Sequence, residues 1–314
     1  MKILVTPRSF GSTSKEPIRL LEEKGYEITF NETGKRYSKE QMKEIVKDKD
    51  GVIVGLDDMS AEVLNAAENL KVISKYGVGV NNIDLEAAKE NGIVVTNTPE
   101  ANADSVADLA FAFIMSLARK IPQADRKTKA GFEGKIIGNS VWGKTLGVIG
   151  LGKIGRRLVK RAYGFNMMTL AYDLEKKEDF ASKYNVRYVE LEEVLTGADF
   201  VSLHVPLTDS TRGLIDKEKI EIMKEDAFLI NTSRGGTIDE EALYRALKGD
   251  EIRGAALDVL SGPPEESPLK ELDNVILSPH MGAHTEEAIK RMGVEAAENL
   301  ITALEGGIPE TALK

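Results

Sequence analysis

The chain contains no cysteine, which excludes a disulfide framework, a thiolate metal site and a cysteine nucleophile. The redox compartment stays open, because a chain without thiols tolerates any. Histidine is almost as scarce. The three residues His204, His280 and His284 are too few for a histidine-rich centre, and no metal is expected. No apolar run reaches the roughly 18 residues that a membrane helix needs. The N-terminus opens on the strand-like KILVTP rather than on a basic and apolar leader. Positive charge is in deficit, with 42 Lys and Arg against 51 Asp and Glu for a net charge of −9, unlike a nucleic-acid-binding surface. The expectation is a cytoplasmic protein with no nucleic-acid or membrane partner. Its 314 residues suffice for about two domains with ordinary cores.

Strand-like and helix-like segments alternate from end to end, which argues for an α/β fold with parallel sheets. KILVTP (from Lys2), YEITF (from Tyr26), GVIVG (from Gly51), KVISKYG (from Lys71) and GIVVTN (from Gly92) read as strands, with helical patterns such as PIRLLEEKG and SAEVLNAAENL between them. Ser105-VADLAFAFIMSLARK reads as a long helix whose apolar face suits either a core or a partner subunit. A second series follows with NVRYV, DFVSLHVP, AFLINTSRG, RGAALDV and NVILSPH. The helical segment from Thr285 to Leu304 comes after that series has ended and is expected to return to the first domain.

The second series begins with KTLGVIGLGKIGRRLVKRAYGFNMMTLAYD, Lys144 to Asp173. A strand-like run feeds Gly150-Leu-Gly152-Lys-Ile-Gly155, a helical pattern follows, and a second apolar run ends on an acid. This is a dinucleotide fingerprint in its required context. The first glycine permits a tight turn, the second lets a pyrophosphate approach the backbone, and the third lets helix and strand pack closely. The helix N-terminus offers unpaired N–H groups and the positive end of its dipole to the phosphates. Asp173 can accept both ribose hydroxyls and would repel a 2′-phosphate, so NAD is favoured over NADP; Lys176 and Lys177 are the features that point the other way.

Ligands of open α/β sheets bind at the carboxyl ends of the strands, and three ends in the second series carry chemistry. In Asn231-Thr-Ser-Arg234-Gly-Gly the arginine either caps a sheet edge or grips a carboxylate in a fork. In Ala255-Ala-Leu-Asp258-Val the acid caps a turn or meets the nicotinamide end of a cofactor. In Ile276-Leu-Ser-Pro-His280-Met-Gly the histidine follows a proline at a strand end, in the same sheet as the fingerprint and the arginine, which favours a general acid/base over a structural histidine.

Together and in order, KYGVGVNNIDLEAA, NTPEANADSVADL, LARKIPQA, GKTLGVIGLGKIGR, LHVPLTDSTRGLI, INTSRGGTIDEEAL, GAALDV and SPHMGAHTEEA resemble the D-isomer-specific 2-hydroxyacid dehydrogenases, most closely the members that act on 3-phosphoglycerate. The resemblance covers nearly the whole chain. It implies two parallel-sheet domains flanked by helices: a split substrate domain, residues 1–98 and 285–314, closing over a central Rossmann NAD domain, residues 99–284, with no C-terminal regulatory domain. Arg234 matches the carboxylate-binding catalytic arginine and His280 the acid/base histidine. Gly150, Gly152, Lys153, Ile154, Gly155 and Asp173 match the fingerprint contacts, and Val205, Pro206, Thr232, Ser233, Asp258 and Gly282 further cofactor contacts. Val78 and Gly79 match a loop whose N–H groups hold the substrate carboxylate, with Asn102 close by. The helix after Asn102 is similar to the family's dimer element, so a homodimer is expected.

Two stretches depart from the pattern. The family places a catalytic glutamate five residues after the Asp-Val acid; here Asp258-Val-Leu-Ser-Gly-Pro-Pro-Glu-Glu puts Pro263 there, or Gly262 with one deletion, leaving Glu265 or Glu266 as substitutes or as solvated loop charges. Members acting on phosphoglycerate carry a phosphate-binding arginine after the GxIV strand, where this chain has Gly55 and Leu56; Lys75 and Arg8 are the remaining candidates for a distal anion. The expected substrate is 3-phosphoglycerate, or else hydroxypyruvate, glyoxylate or another short 2-oxo acid. A protein that senses NAD(H), like the corepressors of this fold, is the reading from another class.

Overall fold

The computed structural model describes residues 1–313. The chain divides into two compact units, one made of Met1–Asn102 with the segment from Ala283 onward, the other of Ala103–Gly282. The crossings thus fall at 102/103 and 282/283, against the 98/99 and 284/285 read from the sequence. The stretch to Asn102 stays with the first unit because Ala101 is buried in its core, and Ala283 packs on that same core.

In the first unit β1 (Lys2–Val5), α1 (Glu16–Glu23), β2 (Glu27–Phe30), α2 (Lys39–Ile45), β3 (Gly51–Val54), α3 (Ala61–Leu64), β4 (Val72–Lys75), α4 (Leu85–Glu90) and β5 (Val94–Thr96) follow one another. The strands form a parallel sheet in the order β2-β1-β3-β4-β5. Successive side chains point to opposite faces of a strand. Leu4, Val52, Val54 and Ile73 therefore enter one core with Met42, Val63 and Ala88. Ile3, Val5, Ile53 and Val72 enter the other, closed by Leu21 of α1 and by Met292, Ala296 and Leu300 of the last helix, α12 (Glu286–Leu304). The chain's final helix thus completes the first sheet's second face, as the interrupted strand rhythm suggests.

The second unit holds α5 (Ala103–Arg119), α6 (Ile121–Lys129), β6 (Thr145–Ile149), α7 (Lys153–Gly164), β7 (Met168–Tyr172), α8 (Glu178–Tyr184), β8 (Val186–Tyr188), α9 (Leu191–Gly197), β9 (Phe200–Leu203), α10 (Lys217–Glu221), β10 (Phe228–Asn231), α11 (Glu240–Lys248), β11 (Gly254–Leu257) and β12 (Val275–Leu277). Its seven strands run parallel in the order β12-β11-β10-β9-β6-β7-β8. Strands β6, β9, β10 and β11 are buried throughout, which is why they read as continuous apolar runs. Strand order reverses between β6 and β9, and such a switch point is where dinucleotides bind. Phe113, Ile114 and Leu117 of α5 pack with Leu146, Val148 and Ile230. Most of that helix's apolar face is therefore the core of its own unit. Asp104 and Asp108 of α5 bind Arg157 and Arg161 of α7 at 2.9 and 2.7 Å. Among the described residues no helix is long and apolar enough to cross a membrane.

Candidate active site

The fingerprint glycines each meet a different steric demand. Gly150 turns the chain out of β6 at φ +94°, and a Cβ there would lie 2.8 Å from the His204 carbonyl oxygen, across the switch point. A Cβ on Gly155 would lie 2.2 Å from the Gly150 carbonyl oxygen, so only glycine lets α7 sit this close to the turn. Gly152 caps α7, and a Cβ there would meet nothing within 4 Å. That open ground in front of a helix N-terminus, with Lys153 and Ile154 in the first turn, fits a pyrophosphate.

Asp173 ends β7 and accepts from Leu151 N at 2.6 Å through Oδ2 and from Glu175 N at 2.8 Å through Oδ1. Asp173 thus ties down the fingerprint loop, and each carboxylate oxygen keeps a second lone pair free to accept from a hydroxyl. Lys177 pairs with Glu175, and Lys176 lies over the Tyr188 ring at 5.8 Å. The residues present fit an NAD-type dinucleotide.

The next four strand ends carry the other candidates of this unit. His204 leaves β9 just before Val205 and Pro206. Its Nε2 hydrogen-bonds Ser202 Oγ at 2.9 Å, while Nδ1 is buried without a partner. Burial pushes its pKa down to about 3, so the ring is neutral. In the sequence only its position one residue before Val205 marks this histidine.

At the end of β10, Asn231 closes a turn on itself. Its Oδ1 accepts from Ser233 N at 2.9 Å and Ser233 Oγ at 2.7 Å, while its Nδ2 donates to the Arg234 carbonyl at 3.0 Å. Thr237 Oγ1 donates to the same carbonyl at 2.8 Å. Arg234 is held half-buried by this turn, its Nη1 donating to Ser233 O at 2.6 Å, and burial lowers its pKa. A partly desolvated guanidinium binds a carboxylate more strongly than a fully hydrated one. Thr232 Oγ1 beside it is buried and without a partner.

Asp258, expected as a cofactor contact, spends its carboxylate within the fold. Its Oδ1 accepts from Ser278 Oγ and from Met281 N at 2.7 Å, and its Oδ2 accepts from Gly282 N at 2.8 Å. It is the brace of the loop that presents His280, which is exposed and held at φ +55°, a left-handed conformation unusual for a non-glycine residue. Ser105 Oγ fixes the end of that loop by donating to Gly282 O at 2.6 Å. Glu265 lies exposed on the turn before the short 268–271 helix, its backbone carbonyl accepting from Lys270 Nζ. The acid that does engage the 260–262 stretch is Glu240, whose Oε1 accepts from Ser261 N and Oγ at 2.6 and 2.7 Å.

The remaining candidates belong to the first unit. Arg8 follows β1, is exposed, and donates to Gly34 O at 2.7 Å. Lys75, expected to bind substrate, is only 3% exposed, its Nζ donating to Asn82 Oδ1 at 2.9 Å and to Gly55 O. Leu56 beside that carbonyl is 45% exposed. Val78 and Gly79 lie half-buried beyond β4, and Asn102 is buried with an unpartnered Oδ1. The structure therefore gathers the fingerprint, Thr232, Arg234, Asp258 and His280 at the carboxyl ends of one sheet, and places Arg8, Lys75, Val78, Gly79 and Asn102 in the other unit.

A dinucleotide-binding α/β unit with an arginine and a histidine at its strand ends is the framework of a pyridine-nucleotide oxidoreductase. Residues 111–282 match the family model of the D-isomer specific 2-hydroxyacid dehydrogenase, NAD binding domain, and the chain belongs to that family. It is 44% identical to D-3-phosphoglycerate dehydrogenase of Methanocaldococcus jannaschii over 100% of its own length and 59% of that protein's, so it spans well under two thirds of this relative. It is also 44% identical to glyoxylate reductase of Korarchaeum cryptofilum, covering 87% of this chain and 85% of that one. The TT0316 protein of Thermus thermophilus has the same fold, with a TM-score of 0.91 and 35% identity over 100% of both chains.

Proposed function

We propose that the protein interconverts a short D-2-hydroxy acid and its 2-oxo acid, with 3-phosphoglycerate as the first substrate. The observation that carries the reaction class is the placement of Arg234 and His280 at strand ends of the sheet whose β6–α7 turn fits the dinucleotide. NAD, held by the Gly150–Gly155 turn and Asp173, would supply the hydride acceptor for C2 of the hydroxy acid and, reduced, the hydride donor for the oxo acid. In the reductive direction Arg234 binds the carboxylate and polarises the carbonyl, and the Val78 and Gly79 N–H groups hold the same carboxylate. His280 gives its proton to the oxygen that becomes the hydroxyl.

The match of the whole of this chain to 59% of a phosphoglycerate enzyme supports the first substrate. Exposed Leu56 and the enclosure of the Lys75 ammonium support a second reading, in which the substrate carries no second anionic group and is glyoxylate or hydroxypyruvate. Reduction of 3-phosphohydroxypyruvate, hydroxypyruvate and glyoxylate with NADH, followed at 340 nm, separates the two by kcat/KM. No turnover with any of them, together with tight NADH binding, would leave the sensing protein.

The same family reading supports a homodimer. Its contact surface would lie in the segment after α5, where Ile137 is 82% and Trp142 65% exposed.

A further inference from the structure

Residues 77–79 carry no side-chain chemistry, yet their backbone is braced by two residues of the stretch that follows β5. Gly77 adopts φ +130°, a conformation that L side chains rarely reach, and its N–H donates to Thr98 Oγ1 at 3.0 Å. The Gly77 carbonyl accepts from Thr98 N at 3.0 Å. The Val78 carbonyl accepts from Asn97 Nδ2 at 2.9 Å. Asn97 is 9% exposed, and its own carbonyl accepts from Nδ2 of buried Asn299 in α12 at 3.2 Å.

In a trans peptide the carbonyl and the following N–H point in opposite directions. Anchoring the Gly77 carbonyl on Thr98 therefore turns the Val78 N–H away from Thr98. Anchoring the Val78 carbonyl on Asn97 likewise turns the Gly79 N–H away from Asn97. Among the described residues neither N–H finds an acceptor. Two successive N–H groups held in this way form an anion-binding concavity.

We infer that Asn97 is a positioning residue for substrate-carboxylate binding: its amide locks the Val78–Gly79 peptide plane, with Thr98 locking the plane before it. This rests on the proposed role of Val78 and Gly79. Without the amide donor, the Val78–Gly79 peptide rotates more freely, and the concavity loses its preorganisation.

The test compares the best 2-oxo acid of the substrate panel with its primary amide, which has no carboxylate, in the unaltered enzyme and in Asn97→Ala and Asn97→Asp. Both replacements remove the donor, and Asp preserves the size should Ala fail to fold. The expected result is a rise of about tenfold or more in KM for the acid, as for one lost hydrogen bond to a charged group, with little change for the amide or NADH affinity. An unchanged KM for the acid, or equal losses for acid and amide, would overturn the role of Asn97. An unaltered enzyme that reduces acid and amide equally well would instead overturn the carboxylate reading of Val78 and Gly79.

Discussion

Arg234 and His280 act at different points of the proposed reaction, so their variants should differ in kinetic signature. Arg234→Lys keeps the charge but loses the planar fork, and both KM for the oxo acid and kcat should suffer, by about tenfold or more in kcat/KM. His280→Ala should lower kcat by about 100-fold with NADH affinity retained, because the proton moves only as hydride transfer proceeds. Near-normal turnover in either variant would show that another residue does its work. His204 makes a prediction about stability. Its pKa is near 3 in the fold, against about 6.5 when exposed. Between those values the unfolded chain takes up a proton that the folded chain refuses, so stability falls as pH drops below 6.5, by at most about 1.4 kcal/mol per pH unit. Part of the residue reaches solvent, which reduces the slope. Thermal unfolding at pH 7.5 and pH 5 should show a larger loss of Tm in the unaltered protein than in His204→Gln; equal losses would mean that this ring does not contribute.

At the scale of elements, the arginine proposed to be catalytic depends on how two loops of one sheet pack. A Cβ added to Gly235 would lie 2.2 Å from the Leu260 carbonyl oxygen and 2.7 Å from Ser261 N, both backbone atoms that cannot swing aside. Ser261 is in turn held by Glu240. Gly235→Ala should therefore destabilise the protein by roughly 1–3 kcal/mol and lower kcat/KM by displacing Arg234. A melting temperature within a degree of the unaltered protein would show that the 260–261 stretch yields easily. Such cross-loop demands leave little trace in the sequence. Gly235 reads there only as flexibility beside an arginine, whereas Gly150, Gly152 and Gly155 carry a spacing that announces their roles. Asp258 shows the same limit: an acid at a strand end looks like a ligand contact, and only the fold shows its bonds to Ser278, Met281 and Gly282.

For the whole molecule, the exposed apolar residues after α5 give the proposed homodimer its test. Light scattering should give a dimer mass for the unaltered chain and a monomer mass for the Ile137→Asp, Trp142→Asp double variant. A monomer from the outset would remove the proposal, and a dimer that survives both changes would move its interface elsewhere. What the sequence determined by itself was the alternation of apolar runs and helical patterns, the fingerprint with its terminal acid, and the return of the last helix. Each rests on local periodicity or short spacing, which backbone geometry translates directly into strands, turns and helices. Only the tertiary structure decided which polar groups face one another. It turned most of the α5 apolar face into its own unit's core, enclosed the Lys75 ammonium with Asn82, and set Asn97 against the Val78 carbonyl. The reason is physical: a hydrogen bond between residues 7 or 19 positions apart is set by sheet register and loop path, and neither the donor nor the acceptor carries a local sign of its partner.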